Sequence, residues 1–370
     1  MRIAMIGWEY PPFKVGGLGT HCLGLTKSLA ERGITIDFYM PKTSKIVQSV
    51  HKNIRIREVG EIKIYPYDRP KDAPLQGDFF DSVNRYNELL IQKVNGNYHL
   101  IHGHDWLTMK AGIQLKQKLG IPLIFTIHST EYDRSGWLHP NQWFIDNERE
   151  GMKAADRLIA VSELTKKVMI QKYGIPPEKI QVIYNAVSPL GIGKKQKIVL
   201  FLGRLTIQKG PEFFLAAAKR VLELEQDVKF VVAGCGELLP RLIDKAVDLG
   251  ISHKIFFTGK LTEQEVKHIY RIASVYVMPS VSEPFGITAL EAISAGTPTI
   301  VSKASGVSEA FQNCFKVDYW DVDETANKIV ALLRYPPLRQ TLVQNGTQEI
   351  QLFTWSRVAN QTANLYKSAL

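Results

Sequence analysis

The chain of 370 residues has only three cysteines, Cys22, Cys235 and Cys314, and they are far apart. This spacing fits neither a disulfide framework nor a cysteine-based metal site, so we expect free thiols in a reducing compartment. No run approaches the roughly 18 apolar residues needed to span a bilayer. The first strand-like run begins at Arg2 with no secretory apolar segment before it. The sequence therefore predicts a cytoplasmic protein without a transmembrane segment.

Concentrated charge is also absent. The net charge is +10, but residues 1–190 carry 25 Lys and Arg against 19 Asp and Glu, and the remainder carries 21 against 17. A nucleic-acid-binding protein usually gathers its positive charge in a stripe or tail, so we expect no nucleic-acid partner. The excess instead suits solubility, an anionic substrate or weak contact with an anionic membrane surface.

Apolar runs of strand length alternate with amphipathic segments along the whole chain, which is typical of parallel sheets covered on both faces. The predicted strands are 3–6, 34–40, 100–103, 123–127, 157–161, 182–183, 198–202, 228–232, 255–257, 275–278 and 299–301. The predicted helices include 19–32, 105–118, 162–173, 212–225, 239–249 and 263–272. The fold class is therefore α/β.

A linker-like stretch, 188–196, precedes a second series of strands that begins much as the chain itself begins. We predict two doubly wound, Rossmann-like domains, 1–189 and 190–352, and a C-terminal helix, 353–370. A ligand cleft is expected between them, outside the carboxyl ends of the strands. A single eight-stranded barrel is the alternative, against which the linker and strand count argue. The spacing of the tail helix fits packing on either domain.

The segment Glu283-Pro-Phe-Gly-Ile-Thr-Ala-Leu-Glu291 follows a predicted strand and leads into a helix. Such a loop directs backbone N–H groups and a helix N-terminus at its ligand, which suits an anion. Carboxylates on either side, Glu283 and Glu291, suit the hydroxyls of a sugar or a ribose. The alternative is an ordinary helix flanked by two solvated glutamates.

Two further strand ends carry groups suited to phosphate. In Lys14-Val-Gly-Gly17, Gly16 and Gly17 would let backbone approach a ligand at a helix N-terminus, with Lys14 as a point charge. Arg204 and Lys209 follow the first strand of the second series and could converge on a diphosphate without a metal. Each feature could also be an unliganded turn or a pair of surface cations.

His102, His104 and His128 stand at two strand ends, near Asp105 and Glu131. Their spacing matches no metal-binding motif, so we expect no metal and interpret the cluster as a polyol-binding floor. Asp321-Val-Asp323 superficially matches a metal-binding D-x-D pattern, but the helical pattern that follows makes a helix N-cap the better interpretation. Gly234-Cys-Gly-Glu237 is predicted to be a turn after a strand.

Taken in order, these motifs resemble retaining glycosyltransferases of the GT-B fold, in particular glycosyltransferase family 4 and its glycogen- and starch-synthase-like members. The resemblance spans essentially the whole chain. It implies a nucleotide-sugar donor, ADP- or UDP-glucose, with no other cofactor and no metal. It leaves open a homodimer.

The resemblance also implies roles for individual residues. Its catalytic residues would be Arg204, Lys209, Glu283 and His128. Its donor-binding residues would be Lys14, Gly16, Gly17, Phe285, Gly286, Thr288 and Glu291. Its acceptor-facing residues would be Glu9, Asp105 and Glu131.

The expected reaction is glucosyl transfer to an α-glucan. The chain is shorter than typical bacterial glycogen synthases, and Asn185-Ala-Val-Ser188 replaces a more common family pattern. A lipid-linked or cell-surface glycan acceptor therefore stays open, as does a nucleotide-sugar epimerase on the same fold. A phosphorylase would require a pyridoxal-lysine signature, which the sequence does not contain. A non-catalytic glycan-binding protein is disfavoured because Arg204, Lys209 and Glu283 are all present.

Overall fold

The computed structural model describes residues 1–13, 16–42, 47–61 and 79–370, so Lys14 lies outside the described residues. The chain divides into two compact units. The first unit comprises Met1–Glu131, Pro140–Asn185 and Trp355–Leu370, and the second comprises Tyr132–His139 and Ala186–Thr354. The C-terminal helix thus belongs to the first unit, and a short segment from the N-terminal half belongs to the second.

Each unit is built on one parallel sheet, as the alternation of apolar runs predicts. The strands of the first sheet are β1 (Arg2–Ile6), β2 (Thr35–Lys42), β3 (Ile54–Glu61), β4 (Leu100–His104), β5 (Leu123–Ile127), β6 (Arg157–Ala160) and β7 (Ile180–Val182). Those of the second are β8 (Gln196–Leu202), β9 (Lys229–Ala233), β10 (Ile255–Gly259), β11 (Ala273–Met278), β12 (Thr299–Ser302) and β13 (Phe315–Val317). Their spatial orders are β3-β2-β1-β4-β5-β6-β7 and β10-β9-β8-β11-β12-β13. Both orders reverse beside the first strand of the sheet, which makes both sheets doubly wound and excludes the single barrel.

Helices connect and cover the strands. Those of the first half are α1 (Gly17–Ala30), α2 (Phe79–Lys93), α3 (Met109–Leu119), α4 (Glu131–Arg134), α5 (Gln142–Ala154) and α6 (Glu163–Tyr173). The remainder are α7 (Pro211–Leu222), α8 (Leu239–Asp248), α9 (Glu263–Ile272), α10 (Ile287–Ser294), α11 (Gly306–Ala310), α12 (Val322–Arg334), α13 (Pro336–Glu349) and α14 (Trp355–Ala369). Among the described residues, none of these helices has the length and apolarity that a membrane span requires.

Local sequence explains where several helices begin. The carboxylate of Asp321 accepts a hydrogen bond from the backbone N–H of Glu324, so Asp321-Val-Asp323 is a helix N-cap, as predicted. Thr262 and Glu265 form a reciprocal capping box at α9. These caps satisfy N–H groups that a helix start otherwise leaves unpaired.

The helix α14 packs on α1 within the first unit. A Cβ atom on Gly24 would lie 2.2 Å from the indole of Trp355, so the absence of a side chain at Gly24 lets the two helices approach. Arg32, two residues after the end of α1, donates to the side chains of Asn360 and Ser356, and the Tyr366 hydroxyl lies 2.6 Å from Nδ1 of His102, in the middle of β4. The tail is therefore anchored beside β4.

Candidate active site

In the second unit, Lys209 and Glu283 form an ion pair at the carboxyl edge of the sheet. Lys209 ends the turn after β8, and its Nζ lies 2.5 Å from Oε2 of Glu283. The side chains are 20% and 9% exposed, so the pair is largely withdrawn from water. Ser280 donates a further hydrogen bond to the same carboxylate oxygen at 3.2 Å. The two sequence motifs that carry these residues therefore meet in one place.

Backbone hydrogen bonds also hold Glu283 in place. Its N–H donates to the carbonyl of Ala304, and its own carbonyl accepts from the N–H of Gly306. Ala304 lies in the loop after β12 and Gly306 is the first residue of α11, so the segment after a neighbouring strand holds Glu283. This places Glu283 on a rigid strand-to-helix loop, the location that its sequence context predicts.

Arg204 lies on the same turn as Lys209, and its guanidinium donates to Oε1 of Gln208 at 3.1 Å. Gly234 and Gly236 lie in the loop after β9, where the sequence predicts a turn. A Cβ on Gly234, whose φ is +137°, would lie 1.9 Å from the carbonyl oxygen of Gly203, and one on Gly236 would lie 2.4 Å from that of Leu205. These glycines are thus required for backbone packing of the two loops.

The N-cap residue of helix α10 is Gly286, which has φ +105° and offers no side-chain cap. The carbonyl of Phe285 already accepts from the N–H of Val307. The hydroxyl of Thr288 accepts from that of Tyr276 at 2.9 Å, and Glu291 accepts from that of Tyr270 at 3.2 Å. Burial raises the pKa of both tyrosines, so both stay protonated donors at neutral pH. The helix start therefore presents N–H groups with a carboxylate held in place on its first turns.

In the first unit, Asp105 organises the loop that carries His128. Its Oδ1 accepts from the backbone N–H of His128 at 2.6 Å and from that of Ser129 at 3.4 Å. Its own backbone has φ 56° and ψ 177°, a region that side chains strongly disfavour and that costs about 1–3 kcal/mol. A residue predicted to face the acceptor thus has a defined structural role as well.

The other predicted residues of the first unit lie at separate loops. Glu9 is buried and accepts at 3.3 Å from the N–H of Gly16, the residue before α1. A Cβ on Gly16 would meet no atom within 4 Å, so packing does not demand a glycine there; Gly17 is the first residue of α1. Glu131 is 7% exposed and accepts from the N–H of Asn141 at 3.1 Å. Its described contact therefore fastens a loop.

A buried histidine cluster adjoins His128, and sequence reasoning missed one of its members. His21, on α1, has its ring centroid 4.4 Å from that of His128 and 5.5 Å from that of His104. Its Nδ1 lies 2.6 Å from Oδ1 of Asn185. The signal was present, since His21 falls in register with the buried positions Leu25 and Ser28 of α1.

A row of aromatic side chains runs beside Glu9 and Asp105. It starts at buried Trp8, passes through Phe79 and Trp106, and ends at Trp143, which is 44% exposed. Centroids of successive rings are 5.9–6.1 Å apart, and the contacts are edge-to-face. We call these four residues the aromatic row. Sequence reasoning did not single it out, because its members come from four separate segments.

A GT-B fold contains two parallel-sheet, Rossmann-like units, and comparisons with known proteins identify the class of enzyme. Residues 15–189 match the model described as Glycosyltransferase Family 4, and residues 185–349 match that described as Glycosyl transferases group 1. An uncharacterized glycosyltransferase from Methanocaldococcus jannaschii is 33% identical over 399 residues, covering 100% of this chain and 99% of the relative. The chain therefore belongs to the glycosyltransferases whose two halves match the Glycosyltransferase Family 4 and Glycosyl transferases group 1 models.

More distant relatives differ in what their names say they act on. A D-inositol 3-phosphate glycosyltransferase from Acidothermus cellulolyticus is 28% identical and covers 100% of this chain and 90% of the relative. A glycogen synthase from Mycobacterium tuberculosis is also 28% identical, with coverage of 100% and 95%. The family is thus shown, whereas the acceptor is not fixed by similarity.

Solved structures support the fold. The sucrose-phosphate synthase from Thermosynechococcus elongatus superposes with a TM-score of 0.83 at 22% identity, covering 99% of this chain and 98% of that one. The catalytic domain of starch synthase IV from Arabidopsis thaliana, bound to ADP and acarbose, gives 0.74 at 18% identity, with 99% coverage of both chains. At these identities the comparison concerns the fold alone.

Proposed function

We propose that this glycosyltransferase moves a glucosyl unit from ADP- or UDP-glucose to an α-glucan, with retention of anomeric configuration and without a metal ion. The observation that carries the proposal is the Lys209–Glu283 ion pair beside Arg204 and the N-terminus of α10. Two cations and a helix N-terminus form a site for a diphosphate. We place the reaction in the cytoplasm, in keeping with three cysteines that are free thiols.

The donor would be held mainly by the second unit. Arg204 and Lys209 would neutralise the charge that develops on the departing nucleoside diphosphate, the role that a metal has in other enzymes. Glu291, oriented by Tyr270, would accept from the ribose hydroxyls. The backbone of Phe285 and Gly286 would approach the sugar, and Thr288 would approach the phosphate.

The family resemblance also assigns roles to motifs of the first unit. Gly16 and Gly17 would approach the diphosphate and donor sugar, with Lys14 as an additional charge. His128 would lie near the transferred sugar. These assignments rest on the family resemblance.

Glu283 is a poor nucleophile in this arrangement. Its Oε2 accepts from both Lys209 and Ser280, and pairing with a cation lowers the nucleophilicity of the whole carboxylate, Oε1 included. We therefore propose front-face attack. The acceptor oxygen bonds to the anomeric carbon as the carbon–phosphate oxygen bond breaks, and the acceptor proton passes to the leaving phosphate. The paired-carboxylate scheme of glycosidases does not apply.

The aromatic row supports a carbohydrate acceptor. Glu9 directly follows Trp8 and Asp105 directly precedes Trp106, so predicted acceptor-facing carboxylates stand at the row. Stretches 79–85 and 141–149, which supply Phe79 and Trp143, carry three acidic and two basic side chains. That balance gives no attraction for an anionic lipid surface and leaves a neutral polyol as the better partner.

The first experiment is a thermal-shift panel of nucleoside diphosphates and nucleotide sugars without added metal. A donor at 100 times its dissociation constant should stabilise the fold by about 2.7 kcal/mol. Selective stabilisation by ADP- or UDP-glucose, followed by nucleoside diphosphate release with maltooligosaccharides, is the expected result. Stabilisation by no nucleotide would overturn the donor assignment.

A lipid-linked or cell-surface glycan acceptor is the second candidate, favoured by the net charge of +10 and by relatives named for a non-glucan acceptor. It requires binding to anionic liposomes at low ionic strength, and absence of binding would reject the lipid form. A nucleotide-sugar epimerase would instead convert the donor to an isomer with no acceptor present.

A further inference from the structure

Three histidines from three different elements converge in the first unit. His21 lies on α1, His104 ends β4, and His128 follows β5. One nitrogen from each ring can be chosen so that all three lie within 4.8 Å of one another. The convergence is invisible to local spacing, which is why the sequence pattern alone predicted no metal.

The hydrogen bonds of His21 define its tautomer. Its Nδ1 lies 2.6 Å from the amide oxygen of Asn185, which can only accept, so Nδ1 carries the proton. A neutral ring then has its lone pair on Nε2. That atom is buried and has no hydrogen-bond partner among the described residues. The molecule thus holds a bare imidazole nitrogen in its interior.

The rings of His104 and His128 also have few hydrogen-bond partners. Nδ1 of His104 lies 3.1 Å from Nε2 of His128, so these two nitrogens share a single proton. Nε2 of His104 is buried and, within the described part of the chain, also lacks a partner. An unpaired buried polar atom is destabilising, and an ion bound by Nε2 of His21 would offset that cost at His21.

We propose that His21, His104 and His128 form a binding site for a divalent transition metal of the zinc class. Three imidazole nitrogens with an open fourth position are an established zinc arrangement. Nε2 of His21 would be one ligand, with its Nδ1–H held by Asn185 as metal-bound histidines usually require. The 3.1 Å between the facing nitrogens of His104 and His128 is close to the ~3.3 Å expected for two ligands at about 2.0–2.1 Å and a tetrahedral angle. Their shared proton would move to the outer nitrogen of one ring.

The ion would inhibit transfer and is no cofactor. This consequence rests on the proposed function, in which His128 lies near the transferred sugar. An ion bound to that ring occupies the ring nitrogen and the space beside it, so donor and metal compete. Transfer itself proceeds in a chelator-treated protein.

The test titrates the full chain, after chelator treatment, with Zn²⁺ alone and follows thermal stability, and with Co²⁺ alone and follows visible absorbance. We expect one ion per chain and the intense absorption of tetrahedral cobalt. His21→Gln removes one ligand and should weaken Zn²⁺ binding by about 100-fold or more, and Asn185→Ala should weaken it by about 10–100-fold.

His102→Gln is the matched control. His102 is an equally buried histidine of the same strand, but both its ring nitrogens are engaged, by Tyr366 and Thr126, so it is no ligand. Its variant should bind Zn²⁺ as the unaltered chain does. Equal loss of binding in His102→Gln and His21→Gln, unchanged binding in His21→Gln, or no saturable binding by the unaltered chain would each overturn the proposal.

If a variant fails to fold, the cobalt spectrum of the unaltered chain still decides, because octahedral or absent absorption contradicts a three-histidine site. The nucleotide panel is run without metal, so a failure of the donor assignment and a failure of the metal site give separate readouts. Zinc-induced stabilisation with no nucleotide response would retain the site and reject the proposed function.

Discussion

Replacing Lys209 with Met should destabilise the second unit, because it leaves a buried carboxylate unpaired. The Glu283 side chain is 9% exposed and Lys209 is its cationic partner at 2.5 Å. Breaking a buried ion pair from one side typically costs about 3–5 kcal/mol. Since a fifth of the Lys209 side chain reaches solvent, water can enter after substitution, and we expect about 2–4 kcal/mol.

A second substitution separates this penalty from catalysis. Glu283→Gln in the Lys209→Met background removes the stranded charge and keeps an amide that can bond Ser280. The double variant should recover to within about 1 kcal/mol of the unaltered chain, as neutral replacements of buried pairs often do. Turnover should not recover. Both variants should lose about 10²–10³ in nucleoside diphosphate release, because neither has the cation that stabilises the leaving group.

The assay compares urea-unfolding midpoints with initial rates at saturating donor, on the same preparations. Lys209→Arg is the control, since it keeps the charge and should retain more activity than Lys209→Met. Recovery of both stability and turnover in the double variant would refute the leaving-group assignment. Lys209 would then be only a counter-ion for Glu283.

Three further predictions concern the fold. Burial lowers the pKa of His21 in the folded chain to about 4, so the unfolded chain binds the His21 proton more tightly. The contribution of His21 to the free energy of unfolding should be complete above a pH of about 6.5 and fall by about 3 kcal/mol as the pH approaches 4. Urea-unfolding midpoints that do not change with pH would contradict this. Gly234→Ala should destabilise the fold by about 3 kcal/mol or more, since the new Cβ would lie 1.9 Å from a carbonyl oxygen. The control is Gly250→Ala, also at positive φ but with open space around it, which should cost about 1 kcal/mol. Equal unfolding midpoints for the two variants would rule out the steric argument. Asp321→Ala should destabilise the fold by about 1 kcal/mol through loss of the α12 cap, measured by the same unfolding midpoints. Asp323→Ala, which leaves the cap intact, is the control. Equal losses of stability in the two variants would argue against capping.

The fold could be predicted from sequence because most strands are buried on both faces. Predominantly apolar runs identify β5 and β11, all of whose residues are buried. Two edge strands went undetected. β3 alternates isoleucine with arginine at its start, and β13 has only three residues, so neither gives the continuous apolar signal of a central strand.

The strand ends that carry the candidate site were also predictable, since parallel strands place their carboxyl ends at one edge. That reasoning anticipated where Glu283 and Lys209 lie, and the structure adds their contact. Local spacing could not reveal the histidine cluster, whose third member enters from a helix about 80 residues before His104 in the chain. It also could not show that Gly234 is needed by a neighbouring loop rather than by a ligand.

Under the proposed function, Asp105 would link a strained backbone to acceptor binding. A non-glycine residue in its backbone conformation costs about 1–3 kcal/mol and persists only where its surroundings enforce it. Here the enforcement comes from its own carboxylate, which accepts from two consecutive N–H groups and so fixes the backbone of His128. An acceptor hydroxyl approaching Asp105 would have to share that carboxylate with the His128 backbone. Acceptor binding and the placement of His128 would therefore be coupled through one side chain, which gives a physical reason for the strained conformation at this position.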